Sequence, residues 1–214
     1  MPAMPLPRPP RPARPARRRP DRYHHGDLRR ALLLEAVRTI HAEGASGLTL
    51  RGVGDRLGVS RTALYRHFAD KQALLEEVAA EGFRKLRAAL QEAWGRGGRA
   101  GFDAMGVAYV HFALAHPSHY RVMFGGVAAK REAGPDFDGV DESTDAFQVL
   151  VDAIVAEQAA GRVRREDPQA LALYIWAMVH GVAMLALDDL LPPPTTPDIL
   201  ARLAIARMHG GIDG

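Results

Sequence analysis

The side chains best suited to chemistry in this chain are gathered in one stretch, TLRGVGDRLGVSRTALYRHFADK, from Thr49 to Lys71. Arg61 and Thr62 stand side by side directly after Ser60. An arginine fork matches the O6 and N7 acceptors of a guanine edge; a threonine offers a hydroxyl to any base and a methyl to thymine. Tyr65 follows one helical turn later, within reach of a phosphate or a thymine methyl, and is equally able to serve as core. Arg51, earlier in the stretch, has the length to reach backbone or base. These groups suit recognition of a polyanion with readable edges rather than bond making.

Such residues work only if short helices hold them at a fixed angle. Thr49 reads as the N-cap of a helix over Leu50–Leu57, and Ser60 as the N-cap of another over Arg61–His67. Gly58 lies between them, free to take the positive φ of a tight turn. The N–H groups and dipoles at both capped ends also suit a phosphate. Asp70 reads as the N-cap of a long helix from Lys71 to Trp94. The pattern predicts a helix-turn-helix whose second helix enters a DNA major groove, with Arg61 and Thr62 at the base edges.

Ahead of this unit, Leu28, Ala31, Leu32, Ala36 and Ile40 recur at helical spacing and predict a bracing helix over Asp27–Glu43. Asp27 reads as its cap and Gly44 as its left-handed stop. Tyr23 to Gly26 reads as a turn. Val53, Leu57, Val59, Leu64 and Phe68 are the residues expected to pack the unit onto that brace. The first twenty residues alternate Pro and Arg, which forbids regular structure. That arm either tracks phosphates or is an inert extension.

Behind the unit the chain reads as helices throughout. Residues 95–101 form a glycine-rich connection; they follow a helix rather than a strand, so they do not read as a phosphate-cradling loop. Helices are predicted from Gly101 to Ala115, over Pro117–Phe124, over Ser143–Ala160, from Pro168 to Leu190 with Asp167 as cap, and over Pro197–His209, with a connection at 125–142. The 168–190 helix is apolar almost all round, through Leu171, Tyr174, Ile175, Met178, Val179, Val182, Leu185 and Ala186, so it needs cover on more than one face. Together with 197–209 it offers the makings of a four-helix contact between two copies of the chain. With no convincing strand, the expected class is all-α.

Composition narrows the function. The 214 residues are 47% hydrophobic, enough for a real core, and contain no cysteine, which excludes disulfides, thiolate metal sites and cysteine nucleophiles. That suits a reducing, cytoplasmic setting. No apolar run reads as a bilayer span and no leader is evident at the N-terminus. The net charge of +3 hides an asymmetry: residues 1–26 carry seven Arg and one Asp, residues 27–71 eight basic and five acidic side chains, and residues 72–214 thirteen basic and nineteen acidic. A basic end on an acidic body points the basic end at nucleic acid.

From Tyr23 to about Val78 the sequence closely resembles the N-terminal domain of the TetR family of bacterial transcriptional repressors, above all in GVSxTxLYRHFxxK at residues 58–71. HPSHYRVMF at 116–124 and WAMVHGVAML at 176–185 resemble the C-terminal class of that family named for Trp-His-Gly, here Trp176, His180 and Gly181. The proline density implies a disordered arm at 1–22, and the resemblance a DNA-binding domain at 23–71 and an effector-binding, dimer-forming domain at 72–214. It implies that Tyr65, His67 and Lys71 hold the DNA backbone. It implies a homodimer on an inverted-repeat operator, acting as a repressor and released by a small molecule. One departure is Gly54, where the family usually has alanine; with Gly52 it leaves the second helix weak by roughly 1 kcal/mol per glycine, so that helix is expected to be soft until DNA binds.

Phe112, His116, Tyr120, Met123, Phe124, Phe147, Trp176, His180 and Met184 are the candidate lining of an effector pocket, and their character suggests a mainly apolar ligand. Each is also a candidate for plain core. The rival reading is a helical metal- or ligand-binding protein with no DNA role, for which His111, His116, His119 and the pair His24–His25 are the residues to consider. They lack metal-ligand spacing, and neither a cofactor nor a catalytic constellation is expected.

Overall fold

The structure, a computed structural model, describes residues 25–125 and 142–212. These form nine helices: α1 (His25–Gly47), α2 (Leu50–Leu57), α3 (Arg61–Tyr65), α4 (Lys71–Trp94), α5 (Gly98–Ala115), α6 (Pro117–Phe124), α7 (Glu142–Ala159), α8 (Pro168–Leu187) and α9 (Pro197–Ile212). No strand occurs among the described residues. The protein is all-α, a three-helix head followed by a larger helical body. The arm at 1–22, Tyr23, His24 and the connection at 126–141 lie outside the described residues.

The caps set the head. Thr49 Oγ1 accepts from the Gly52 N–H at 3.0 Å, Ser60 Oγ from the Ala63 N–H at 3.2 Å, and an Asp70 carboxylate oxygen from the Ala73 N–H at 2.8 Å. Gly58 stands at φ 65°, closing α2 with the left-handed residue that only glycine takes without strain. Leu32, Ala36 and Ile40 of α1 share one buried core with Leu48, Val53, Leu64 and Phe68. A buried leucine such as Leu64 contributes about 1.5–3 kcal/mol. Arg56 of α2 pairs with Glu43 of α1, and Arg29 of α1 pairs with Glu77 of α4 while lying 5.3 Å from the centre of the Phe68 ring.

Several boundaries differ from the sequence reading. Helix α1 begins at His25, so Asp27 sits in its first turn rather than at its cap, and the expected turn at His25–Gly26 is helical. Gly44 does break α1, at φ 73°, but one more helical turn follows to Gly47. Helix α3 ends at Tyr65, because the His67 and Phe68 N–H groups both turn back onto the Leu64 carbonyl. Helix α5 starts at Gly98, which shrinks the glycine-rich connection to three residues. Helix α8 stops at Leu187, ahead of the prolines, where Asp189 takes φ 56°. Helix α9 runs on to Ile212, whose side chain is buried and whose carbonyl accepts from the Arg164 N–H at 2.9 Å.

The reading that no apolar run reaches a bilayer span is also corrected. Helix α8 has 20 residues and a mean hydropathy of 2.0, enough by length and composition to cross a membrane. One face of α8, with Leu171, Ala172, Ile175, Val179, Val182 and Ala183, is buried against α5, α7 and α9. Its other face leaves Leu173, Tyr174 and Leu185 exposed, and α9 adds exposed Ile199 and Leu203.

Two links join head to body. Helix α4 begins at the head and forms one wall of the body against α5, α6 and α7, and α6 packs on both α4 and α1. The α4–α6 crossing is close at Gly82: a Cβ there would fall 2.4 Å from the Met123 sulfur.

Candidate nucleic-acid interface and effector cavity

On the head, Arg61, Thr62 and Tyr65 are all exposed, with Tyr65 at 55%. An aromatic this open is not core. Arg51, Arg61 and Tyr65 share the rim of a shallow depression of about 160 Å³ with Asp55. Asp55 would repel a phosphate, but it sits 3.5 Å from the Arg51 guanidinium and partly neutralises itself there. The capping oxygens of Thr49 and Ser60 spend a lone pair on the helix N–H groups and keep their own O–H to donate. His67 is half-buried. Lys71 Nζ donates to the Ser46 carbonyl at 3.2 Å, which ties the start of α4 to the end of α1. The structure thus brings Arg51, Arg61 and Tyr65 to one rim, and holds Lys71 at the junction of the two helices.

In the body, a cavity of about 500 Å³ lies among α4, α5, α7, α8, α9 and the end of α6. Of the nine expected lining residues, Phe124, Phe147 and Trp176 line it. Phe112 and His116 instead border a second groove of about 770 Å³ between α4, α5 and α9, with Lys85, Asp103 and His209. Tyr120 and Met123 are buried core, and Met184 is half-buried against that core. The sequence reading missed Phe83, Phe102, Met105 and Tyr109, which do line the cavity. Phe102, Met105 and Tyr109 stand at i, i+3 and i+7 on α5, a helical stripe that periodicity alone exposes.

One polar cluster interrupts this apolar region. The Trp176 indole N–H donates to the Tyr109 hydroxyl at 2.9 Å, and the Tyr120 hydroxyl lies 2.7 Å from His180 Nδ1. The Tyr109 hydroxyl is 3.1 Å from the same nitrogen and 3.2 Å from the Tyr120 oxygen. Burial pushes Tyr109 up to about 12 and Tyr120 higher still, and it lowers His180, so all three are neutral near pH 7.

The remaining histidines disperse. His111 pairs with Asp198 of α9 at 2.7 Å. His119 is buried, and its Nε2, 3.7 Å from Glu81, has no hydrogen-bond partner. Burial, then the Lys85 charge, lowers it to about 4, outweighing the opposite pull of Glu81. No three His, Asp or Glu side chains among the described residues are grouped to hold a metal ion.

Comparison with known proteins fits this geometry. Residues 32–78 match the model of bacterial regulatory proteins of the tetR family, and residues 102–208 match that of the tetracyclin repressor-like C-terminal domain. The chain belongs to the TetR family. Across solved structures this TetR-family protein is similar to a protein of unknown function from Rhodococcus sp. RHA1, at 35% identity and a TM-score of 0.79, covering 91% of this chain and 100% of that one. It shares its fold with a tetR-family regulatory protein from Rhodococcus RHA1, at 21% identity and a TM-score of 0.67, covering 86% of this chain and 96% of that one. Among curated proteins, the tetracycline repressor protein class C of Escherichia coli is 43% identical over 51 residues, 24% of this chain. The match spans 23% of that repressor's own length.

Proposed function

We propose that this TetR-family chain is a non-catalytic, cytoplasmic transcriptional repressor that binds an inverted-repeat operator as a homodimer and leaves it when a small, mainly apolar molecule fills the body. The observation that carries this reading is the exposed trio Arg61, Thr62 and Tyr65 on a capped third helix whose buried face docks on α2. In it, Arg61 and Thr62 read bases. Arg51, Tyr65, His67 and Lys71 hold the backbone, with the Thr49 and Ser60 hydroxyls. The DNA-binding domain ends near Lys71, and the rest serves the effector and the dimer.

The exposed apolar face of α8 and α9, Leu173, Tyr174, Leu185, Ile199 and Leu203, is the surface we assign to the second copy. A Cβ on Gly181 would meet nothing within 4 Å, which leaves room there for a partner helix. The effector cavity is the 500 Å³ space, large enough for a small ligand. Ligand that favours a dimer with mismatched recognition helices releases DNA by shifting the population. A gel shift on DNA flanking the protein's own coding sequence, repeated at rising salt, tests the DNA reading. Binding that weakens steeply with salt supports it; no shift at low salt overturns it.

A further inference from the structure

The cavity in the body has a chemistry more specific than apolar. Among its described lining residues there is no Lys, Arg, His, Asp or Glu. A ligand charge placed there would lose its water and gain no counter-charge, a penalty of several kcal/mol in a protein interior. Four hydrogen-bonding side chains line it, Tyr109, Trp176, Ser143 and Thr144, and the first two form a cluster with Tyr120 and His180 behind them.

The hydrogens of that cluster can be placed by elimination. The Tyr120 hydroxyl donates to the Tyr109 oxygen at 3.2 Å. With that hydrogen used, the 2.7 Å contact with His180 is a bond only when the neutral ring carries its hydrogen on Nδ1 and donates to the Tyr120 oxygen. Trp176 has only a donor, and it donates to the Tyr109 oxygen at 2.9 Å. The Tyr109 hydrogen is then left without an acceptor in the cluster, because a protonated Nδ1, 3.1 Å away, has no lone pair to offer. Accepting from Trp176 also polarises the Tyr109 O–H and makes it a better donor. A phenylalanine at 109 would fill the same space with no such requirement.

Taking the cavity as the effector site, we infer that the effector is an uncharged, mainly apolar molecule that presents one hydrogen-bond acceptor, a ketone, ester or ether oxygen, to the Tyr109 hydroxyl. The ligand acceptor takes the hydrogen that the cluster leaves without an acceptor. An organic acid of the same length is rejected because none of the described wall residues carries a charge to neutralise it.

The test uses the full chain at pH 7 with the neutral dye Nile red bound, displaced in turn by 2-undecanone, undecane and undecanoate. The ketone should displace dye at roughly fivefold lower concentration than the hydrocarbon, the worth of one hydrogen bond. It should outcompete the carboxylate by roughly a hundredfold. In Tyr109→Phe the ketone's advantage over the hydrocarbon should fall to about onefold, and Trp176→Phe should reduce it. Undecanoate binding as well as the ketone, or a Tyr109→Phe protein that melts normally and keeps the ketone preference, overturns the inference. If wild type binds no dye, or if Leu150→Trp, which fills the cavity, leaves dye binding unchanged, the effector reading itself fails, and this inference with it.

Discussion

Gly82 of α4 and Met123 of α6 meet so closely that a single methyl on the glycine would fall 2.4 Å from the methionine sulfur. His119 Cβ would be 3.2 Å away. Helix α6 also packs on α1, so this crossing is where body and head are coupled. Gly82→Ala gains helix propensity of about 1 kcal/mol but must push α6 outward, at a cost of about 1–3 kcal/mol. The expected result is a lower melting temperature and altered ligand release of DNA, read by fluorescence anisotropy. A variant with unchanged melting and unchanged release would show that α6 does not depend on this contact.

Base and backbone contacts separate under mutation. Arg61→Ala should flatten the preference at one operator position per half-site, about 1–3 kcal/mol of discrimination. Lys71→Ala should weaken binding to all sequences alike and reduce the slope of log affinity against log salt by about one per protomer. Affinities for a panel of single-base operator variants decide it. A uniform loss in both mutants would contradict the assignment.

The glycines of α2 are not equivalent. A Cβ on Gly54 would sit 3.2 Å from a Leu64 methyl, a contact that a leucine end can relax. Gly54→Ala should therefore stabilise by about 1 kcal/mol and raise the melting temperature by about 2–4 °C. A Cβ on Gly52 would sit 2.8 Å from Thr49 Oγ1, the cap itself. There the gain is offset by a weakened cap, worth about 1 kcal/mol. Equal stabilisation by both substitutions in a thermal melt would disprove the distinction.

Where local chemistry ends an element, the sequence was a good guide. Thr49, Gly58, Asp70 and Pro117 placed the starts or stops of α2, α4 and α6, because caps and turns depend on near neighbours. Long-range contacts were not legible. Ile212 extends α9 because it is buried and bonded to Arg164, far away in sequence. Phe112 and His116 share α5 and its end with true cavity residues, yet they face the other groove. Choosing between two faces of one helix needs to know which neighbours pack on each. Tyr65 was open to either role until its exposure removed the core reading.

The histidines at the α4–α6 junction make stability depend on pH. His119 is held at about 4 in the folded protein and titrates near 6.5 when unfolded. Between those values the unfolded chain binds a proton that the folded chain refuses. Stability is therefore complete above about pH 6.5 and falls toward pH 4, by at most about 1.4 kcal/mol per unit for this group. His116, lowered by its burial and then by Lys85, acts in the same direction. For Glu81, burial raises the carboxyl, but Lys85 and His119 outweigh it and lower the group, so its contribution is also lost as pH falls, below the carboxylate's ordinary range. Urea midpoints at pH 7, 6 and 5 should drop more steeply for wild type than for His119→Phe. Parallel curves would show that His119 is not the titrating group.

The reading of the head as a two-fold DNA reader is tested most directly by selecting bound DNA from a random pool with the purified full-length protein. The expected product is an inverted-repeat consensus whose enrichment flattens at one position per half-site in Arg61→Ala. Failure to enrich any sequence at low salt, or enrichment of a single motif without two-fold symmetry, would contradict it.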